Sequence, residues 1–417
     1  MEPSTATDAV DRRALISLFA RLRKSAGQEN PLPAYKSLSA MGDVIPAPWG
    51  GYLVTSYRLC DRVLRDRSWK VPDRDWRTTQ ADRARWDSPA SRQMGAALPM
   101  MNPPHHTRMR RSLGNLFPQV SLAAMQQTVQ SAADELIDRF VEHVHAGPAD
   151  FNRLVSDELP VISIGRWMGL PAADYGLLRD LTHDQVYSQE LFPTTSQLAI
   201  SDAATARLRS YFTELIRERR RIPGDDPVSS WLTTWDTLEP DRVRADEAVH
   251  GLALFMILAA LETTAHVLSS TLRLLLEHPT QMDWLRRHPD LIPGAVEEAL
   301  RYDAPIHMIS RIAPADTVIG DVLVPAGQMV QLMVGAAHHD PDQYANPHRF
   351  DVRRRAPHLA FGAGIHYCLG NALARMEAAA LLASILRRPI RPHLSEPARW
   401  APRVAFRRIT ALHLTLP

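Results

Sequence analysis

The chain has 417 residues, 45% of them hydrophobic and 23% charged, and carries a formal charge of +2. That balance excludes whole-chain disorder and fibrous structure, and a near-neutral chain without long blocks of one sign shows no nucleic-acid footprint. The most apolar run, residues 251–261, falls far short of the roughly 18 residues of a membrane span, and the N-terminus lacks a signal-peptide profile. Cys60 and Cys368 are the two cysteines. A disulfide framework is therefore implausible, and the expected compartment is a reducing cytoplasm. Of the 48 basic residues only Lys24, Lys36 and Lys70 are lysines, leaving 45 arginines. A GC-rich genome is the expected main cause, with a surface for anionic partners as the sharper alternative.

Helical spacing of apolar residues runs through 122–144, 157–168, 203–219, 245–276, 291–302 and 369–386. Strand-like alternation is confined to 51–55, 316–333 and 405–416. Proline and glycine break the chain at 46–51, 72–104, 193–196, 222–227 and 346–364. Two of these breaks exceed the length of ordinary connectors, about 15 residues, and are expected to be functional or disordered. The first carries Trp76 and Trp86 among Arg74, Arg77 and Arg83. The second leads into Cys368. The pattern predicts one large, mainly α domain with small β-sheets over 31–417, preceded by a partly disordered extension over 1–30.

Four short segments carry chemistry. Residues 103–110 read Pro-Pro-His-His-Thr-Arg-Met-Arg and open a helix on which His106 and Arg110, four apart, share a face suited to a carboxylate. Residues 258–264 read Leu-Ala-Ala-Leu-Glu-Thr-Thr. An acid and a hydroxyl in an apolar helix are costly without a task, and Thr263 can bond back to the carbonyl of Ala259. Glu298 and Arg301 lie three apart and can pair. Residues 361–370 read Phe-Gly-Ala-Gly-Ile-His-Tyr-Cys-Leu-Gly. Their glycines permit a tight loop, and a helix start just beyond Cys368 favours a thiolate. Such a thiolate suits one axial bond to a haem iron, whereas zinc would need further ligands nearby. Cys60 is expected to be a core thiol on an amphipathic helix.

The last segment resembles the haem-binding signature of the cytochrome P450 family, Phe-x-x-Gly-x-His/Arg-x-Cys-x-Gly, at Phe361, Gly364, His366, Cys368 and Gly370. Residues 297–301, Glu-Glu-Ala-Leu-Arg, match the family's Glu-x-x-Arg, and 346–350, Asn-Pro-His-Arg-Phe, resemble the segment that supplies a third member. The resemblance thus makes Glu298, Arg301 and Arg349 a structural triad. Residues 103–110 are similar to Pro-Pro-x-His-Thr-Arg-x-Arg, and 258–264 to Ala-Gly-x-Asp/Glu-Thr, with Ala260 in place of the usual glycine. That methyl should narrow the groove beside bound dioxygen. In family order, the resemblance covers residues 30–417.

It implies the P450 fold, a triangular prism of helices around haem b, with Cys368 as the iron ligand. His106, Arg110, Arg311, His358 and His366 would meet the propionates, with Phe361, Gly362 and Gly370 beside the ring. Glu262 and Thr263 would be the catalytic acid and alcohol that deliver protons to oxygen. The implied function is a monooxygenase that hydroxylates or otherwise oxidises a small, secondary-metabolite substrate. The alternatives are a haem-thiolate catalyst of coupling, desaturation or oxidative decarboxylation, and a haem protein that binds or senses without turnover. No flavin or iron–sulfur segment follows the last helix, so a ferredoxin and its reductase are expected to supply electrons in trans. Their docking face would carry Arg62, Arg65, Arg108, Arg111 and Arg375, while His105 is expected to be solvated. Expected pocket residues are Trp76, Met256, Ala259, Ala260, His307 and Met308. A monomer without nucleic-acid or membrane partners is expected.

Overall fold

The architecture follows from one 36-residue helix, Arg242–Glu277. Asp241 caps its start by accepting from the amides of Val243 and Arg244, which satisfies donors the first turn leaves orphaned. Beyond that turn the helix is apolar on nearly every side, as expected of an element packed all round. It is long and apolar enough to cross a bilayer, yet 72% of its most apolar window is buried inside the fold. Helices Glu158–Trp167, Tyr175–Gln185, Thr195–Arg221, Pro227–Leu238, Ile292–Tyr302 and Asn371–Leu386 all pack on it. This computed structural model describes residues 11–80, 84–114 and 119–416.

The sheets are small. In the largest, the antiparallel pair Val44–Pro46 and Tyr52–Val54 is joined in parallel by Met329–Leu332, which pairs in turn with antiparallel Ile309–Ile312. Segments nearly 280 positions apart therefore share one sheet, although alternation had shown only separate pieces. The mainly α architecture with small sheets agrees with the sequence. Two expectations change.

Within the expected extension, Arg12–Leu22 is a helix capped by Asp11, and Leu15, Leu18, Phe19 and Leu22 are buried. They join Tyr35, Leu38, Met308 and Met333 in one apolar cluster, so residues 12–22 belong to the packed body. The expected disorder of residues 1–10 lies outside the described residues. The 72–104 stretch is also ordered where described. It folds into the short helices Arg74–Thr78, Ala84–Asp87 and Pro89–Gly95, the first and last capped by Asp73 and Ser88. Helices of four to seven residues are too brief for periodicity to reveal.

A buried ion cluster braces the cysteine side. Glu298 takes two hydrogen bonds from Arg301, at 3.0 and 2.7 Å, and both side chains are almost wholly inaccessible. Arg301 also donates to the carbonyls of His338, Pro347 and Arg349. The third arginine is not Arg349, whose side chain is exposed and which supplies only its carbonyl. It is Arg354, whose Nε lies 3.2 Å from Glu298 Oε1 and whose guanidinium also reaches the carbonyls of Ala345, Asn346 and Arg349. The chain turns at Asn346, upstream of both arginines, with φ +50°; beyond it Arg349 is exposed and Arg354 reaches back to Glu298. Cys60 is buried on Tyr57–Arg65, its thiol 3.4 Å from the carbonyl of Val54.

Candidate active site

A cavity of about 400 Å³ lies between the long helix and the cysteine loop. The loop geometry depends on glycine. Gly362 and Gly364 adopt φ of +65° and +68°, and a Cβ on Gly364 would stand 2.3 Å from the carbonyl oxygen of Leu64. No larger residue fits there. The amide of Cys368 donates to the carbonyl of Phe361 at 3.0 Å, closing the loop just before helix Asn371–Leu386. Burial raises the Cys368 pKa above its ordinary value, opposed by the Gly370 and Asn371 amides and by Arg110 and Arg375. The helix start alone does not make a thiolate here; a bound cation would.

Four groups around the cavity have polar atoms but no acid. Arg311 is 5% exposed and donates to the carbonyl of Ser310 at 2.9 Å. Burial lowers its pKa to about 10. Arg110 donates to the carbonyl of Tyr367 at 2.8 Å and has no carboxylate partner among the described residues. The rings of His106 and His366 lie 4.3 Å apart, each with a buried Nε2 lacking a partner. Burial, then Arg311, His106 and Arg110, lower the His366 pKa to about 3. Uncompensated cations and orphaned imidazole nitrogens together are costly in a folded protein. Such a set suits an anion with more than one carboxylate.

On the opposite wall Thr263 donates to the carbonyl of Ala259 at 2.8 Å, the back-bond its sequence position predicts. Glu262 beside it is wholly buried and held by three groups from distant segments. Arg403 and Arg408 donate to its two oxygens, and His183 Nδ1 lies 2.7 Å from Oε2. Arg408 also approaches His183 Nε2 at 3.0 Å. A guanidinium only donates, so Nε2 accepts and Nδ1 carries the proton given to Glu262. Burial would raise the Glu262 pKa, but Arg408, Arg403 and His183 hold it well below the usual carboxylate range.

Comparison with known proteins decides the family. A family model described as Cytochrome P450 matches residues 186–388. The cytochrome P450 monooxygenase PikC of Streptomyces venezuelae is 31% identical over 365 residues, spanning 86% of this chain and 84% of that protein. The vitamin D(3) 25-hydroxylase of Pseudonocardia autotrophica is 33% identical over 354 residues, 84% of each chain. Among solved structures, P450BioI in complex with an acyl carrier protein ligated to hexadec-9Z-enoic acid superposes with a TM-score of 0.85 at 28% identity. The match covers 94% of this chain and 99% of that one. The chain belongs to the cytochrome P450 family.

P450 membership implies haem with a thiolate-ligated iron, and the cavity fits that group. Cys368, Phe361, Gly362 and Gly370 line it together with His106, Arg110, Arg311 and His366. The orphaned nitrogens and unpaired cations are what two propionates would satisfy. His358 departs from expectation. It is off the cavity wall, with Nε2 3.1 Å from Glu297, an acid it shares with Arg375. Its Nδ1 accepts the amide of Ala360, so both ring nitrogens are spent on protein partners.

The expected pocket residues divide similarly. Met256, Ala259, Ala260 and Met308 line the cavity. Trp76 does not: its indole donates outward to the carbonyl of Gly327 at 2.9 Å, and Trp86, packed edge-on against it, reaches the wall instead. His307 turns away into the core, where Nδ1 meets the Tyr35 hydroxyl. Of the loop arginines, Arg77 lines the cavity, Arg74 is exposed, and Arg83 lies outside the described residues. Sequence reasoning missed the partners of Glu262. The arginines at 403, 407 and 408 amid the alternating tail were the available signal, since charge within a strand-like run needs a buried partner. It also missed Glu377, a buried acid on the cavity wall with an unpartnered Oε1.

Proposed function

We propose that the chain uses Cys368 to hold haem iron and oxidises a small, predominantly apolar organic molecule of secondary metabolism. The observation that carries this reading is the acid-free set of Arg110, Arg311, His106 and His366 around an apolar cavity that also contains Cys368. The reaction consumes dioxygen, two electrons and two protons, leaving one oxygen atom in the product and one in water. Haem supplies the reductive activation of dioxygen when bound.

The chain's own residues divide the remaining work. Arg110 and Arg311 bind the propionates, with His106 and His366 as further donors. Thr263 holds a hydroxyl at the cavity wall, and the His183–Glu262 pair leads from an imidazole that is 21% exposed to that wall. Phe255, Met256, Leu98, Met94 and Phe406 line the cavity with apolar surface, which excludes competing water. The methyl of Ala260 also faces it. A small organic substrate agrees with the relative named as a vitamin D(3) 25-hydroxylase.

Electrons come from a ferredoxin and reductase in trans. Among the expected docking arginines, Arg65 is engaged by Asp61, Arg108 by Glu239 and Arg375 by Glu297. Arg62 and Arg111 are exposed with no acidic partner among the described residues, and they form the docking pair.

The test has three readings. The reduced, carbon-monoxide-bound protein should show the thiolate-ligated band. Isotopically labelled dioxygen should leave label in the product. Thr263→Ala should divert electrons to peroxide while leaving haem content unchanged. A thiolate band with no label in any product would replace oxygen insertion by desaturation or coupling.

A further inference from the structure

Gln331 sits where a carboxamide needs a reason. It lies on strand Met329–Leu332 of the four-stranded sheet and is 4% exposed. Alternation along that strand turns Met329 and Gln331 toward the cavity, while Val330 and Leu332 enter the apolar core behind it. Burying an amide there is unfavourable unless both of its ends find partners.

One end does. The indole N–H of Trp49 donates to Gln331 Oε1 at 3.0 Å. An indole nitrogen has a hydrogen to give and no lone pair to offer, so its partner must be the amide oxygen and not the amide nitrogen. The contact therefore settles which way the carboxamide points. Trp49 cannot easily turn to release it, because its ring stands edge-on between Phe19, at 4.7 Å, and Phe192, at 4.9 Å.

The other end is left over. Gln331 Nε2 has no partner among the described residues, and it is not among the buried atoms sealed from any solvent-sized space. The space it meets is the cavity that Gln331 lines. Its cross-strand neighbour on the same wall is Ser310. The two carboxylates on the cavity wall are Glu262, held by arginines, and Glu377, on the cysteine-side helix. Two N–H groups of fixed direction thus face the cavity beside its apolar lining.

We infer that Gln331 is a specificity-determining donor that orients substrate by hydrogen bonding to an acceptor oxygen, a carbonyl above all, with Trp49 as its positioning residue. The inference rests on the reading that substrate occupies this cavity. It narrows the substrate class from an apolar molecule to an apolar molecule with a carbonyl oxygen directed at the sheet wall.

The experiment uses the haem-loaded protein and two rigid probes of nearly equal shape, 2-adamantanone and adamantane, with affinity read from the high-spin spectral shift. Wild type should bind the ketone more tightly. Gln331→Leu should weaken the ketone about 5- to 10-fold, the worth of one hydrogen bond, and leave the hydrocarbon within about 2-fold. Trp49→Phe keeps an aromatic ring but removes the N–H. It should reduce the ratio of ketone to hydrocarbon affinity by a smaller factor, which a merely structural role would not change. Equal weakening of both probes, no preference in wild type, or no shift with either probe overturns the inference. The carbon monoxide band of the same preparation tests the haem reading separately, so the two cannot fail indistinguishably.

Discussion

Buried and half-buried arginines in this P450 occupy two kinds of surroundings. Around Glu298, every charge has its complement: Arg301 is bonded by the carboxylate and three carbonyls, and Arg354 by the same carboxylate and three carbonyls, that of Arg349 being shared. Around the cavity, Arg110 and Arg311 meet carbonyls and no acid. The first arrangement is complete in the chain by itself. The second is complete only with an anion the chain does not supply. Identical side chains thus serve as brace in one place and as receptor in the other, and the complement of partners distinguishes them.

The largest expected effect lies at the brace. Glu298→Ala strands Arg301 and Arg354 in the core and should cost about 3–5 kcal/mol, as removing one member of a buried pair does. Chemical unfolding of the haem-free protein measures it. Arg354→Ala should show part of that loss and Arg349→Ala almost none. Loss of stability in Arg349→Ala equal to that in Arg354→Ala would contradict the assignment of the third arginine.

The cavity should respond in the opposite sense. Arg311→Leu removes a buried cation whose carboxylate partner is absent, so the haem-free protein should unfold at the same or a slightly higher temperature. Haem affinity should fall about 10- to 100-fold, the worth of a charged hydrogen bond. Haem transfer to apomyoglobin reads the affinity, and a parallel loss of apoprotein stability would merge the two classes of arginine.

Glu377 sharpens the contrast from the acid side. Burial pushes its pKa up to about 8, opposed only by a hydrogen bond with Ser163. An acid whose folded pKa exceeds its unfolded value binds more protons folded than unfolded between the two. Stability therefore falls as pH rises from about 4.5 toward about 8, by up to about 1.4 kcal/mol per unit. Glu377→Gln should flatten that limb when unfolding is followed between pH 5 and 8. An unchanged slope would mean that the carboxyl is ionised in the fold.

The sequence made the long elements readable because a helix of 16 or 36 residues repeats its apolar face often enough to be counted. The cysteine loop was readable for a different reason: Gly364 is excluded from carrying a side chain by the backbone of Leu64, and such positions leave a local signature. Arg354 was not readable, because the choice between it and Arg349 depends on the path of the chain after the turn at Asn346. Nor were Arg403, Arg408 and His183, which meet Glu262 from segments with no local trace of it. Trp76 and His307 lay in the expected segments and faced the wrong way, since direction along a short irregular stretch has no period. The arginine excess also reads differently. Seven arginines are buried among the described residues, so genome composition does not account for where the chain has put them.

The partners of Glu262 also bear on how the molecule assembles. Arg403 and Arg408 lie 141 and 146 positions along the chain from the acid they neutralise. Closing so long a span is slow relative to forming a helix. Without the tail, Glu262 loses both guanidiniums and keeps only the His183 imidazole as partner. The chamber wall acquires its final charge distribution only when the tail docks.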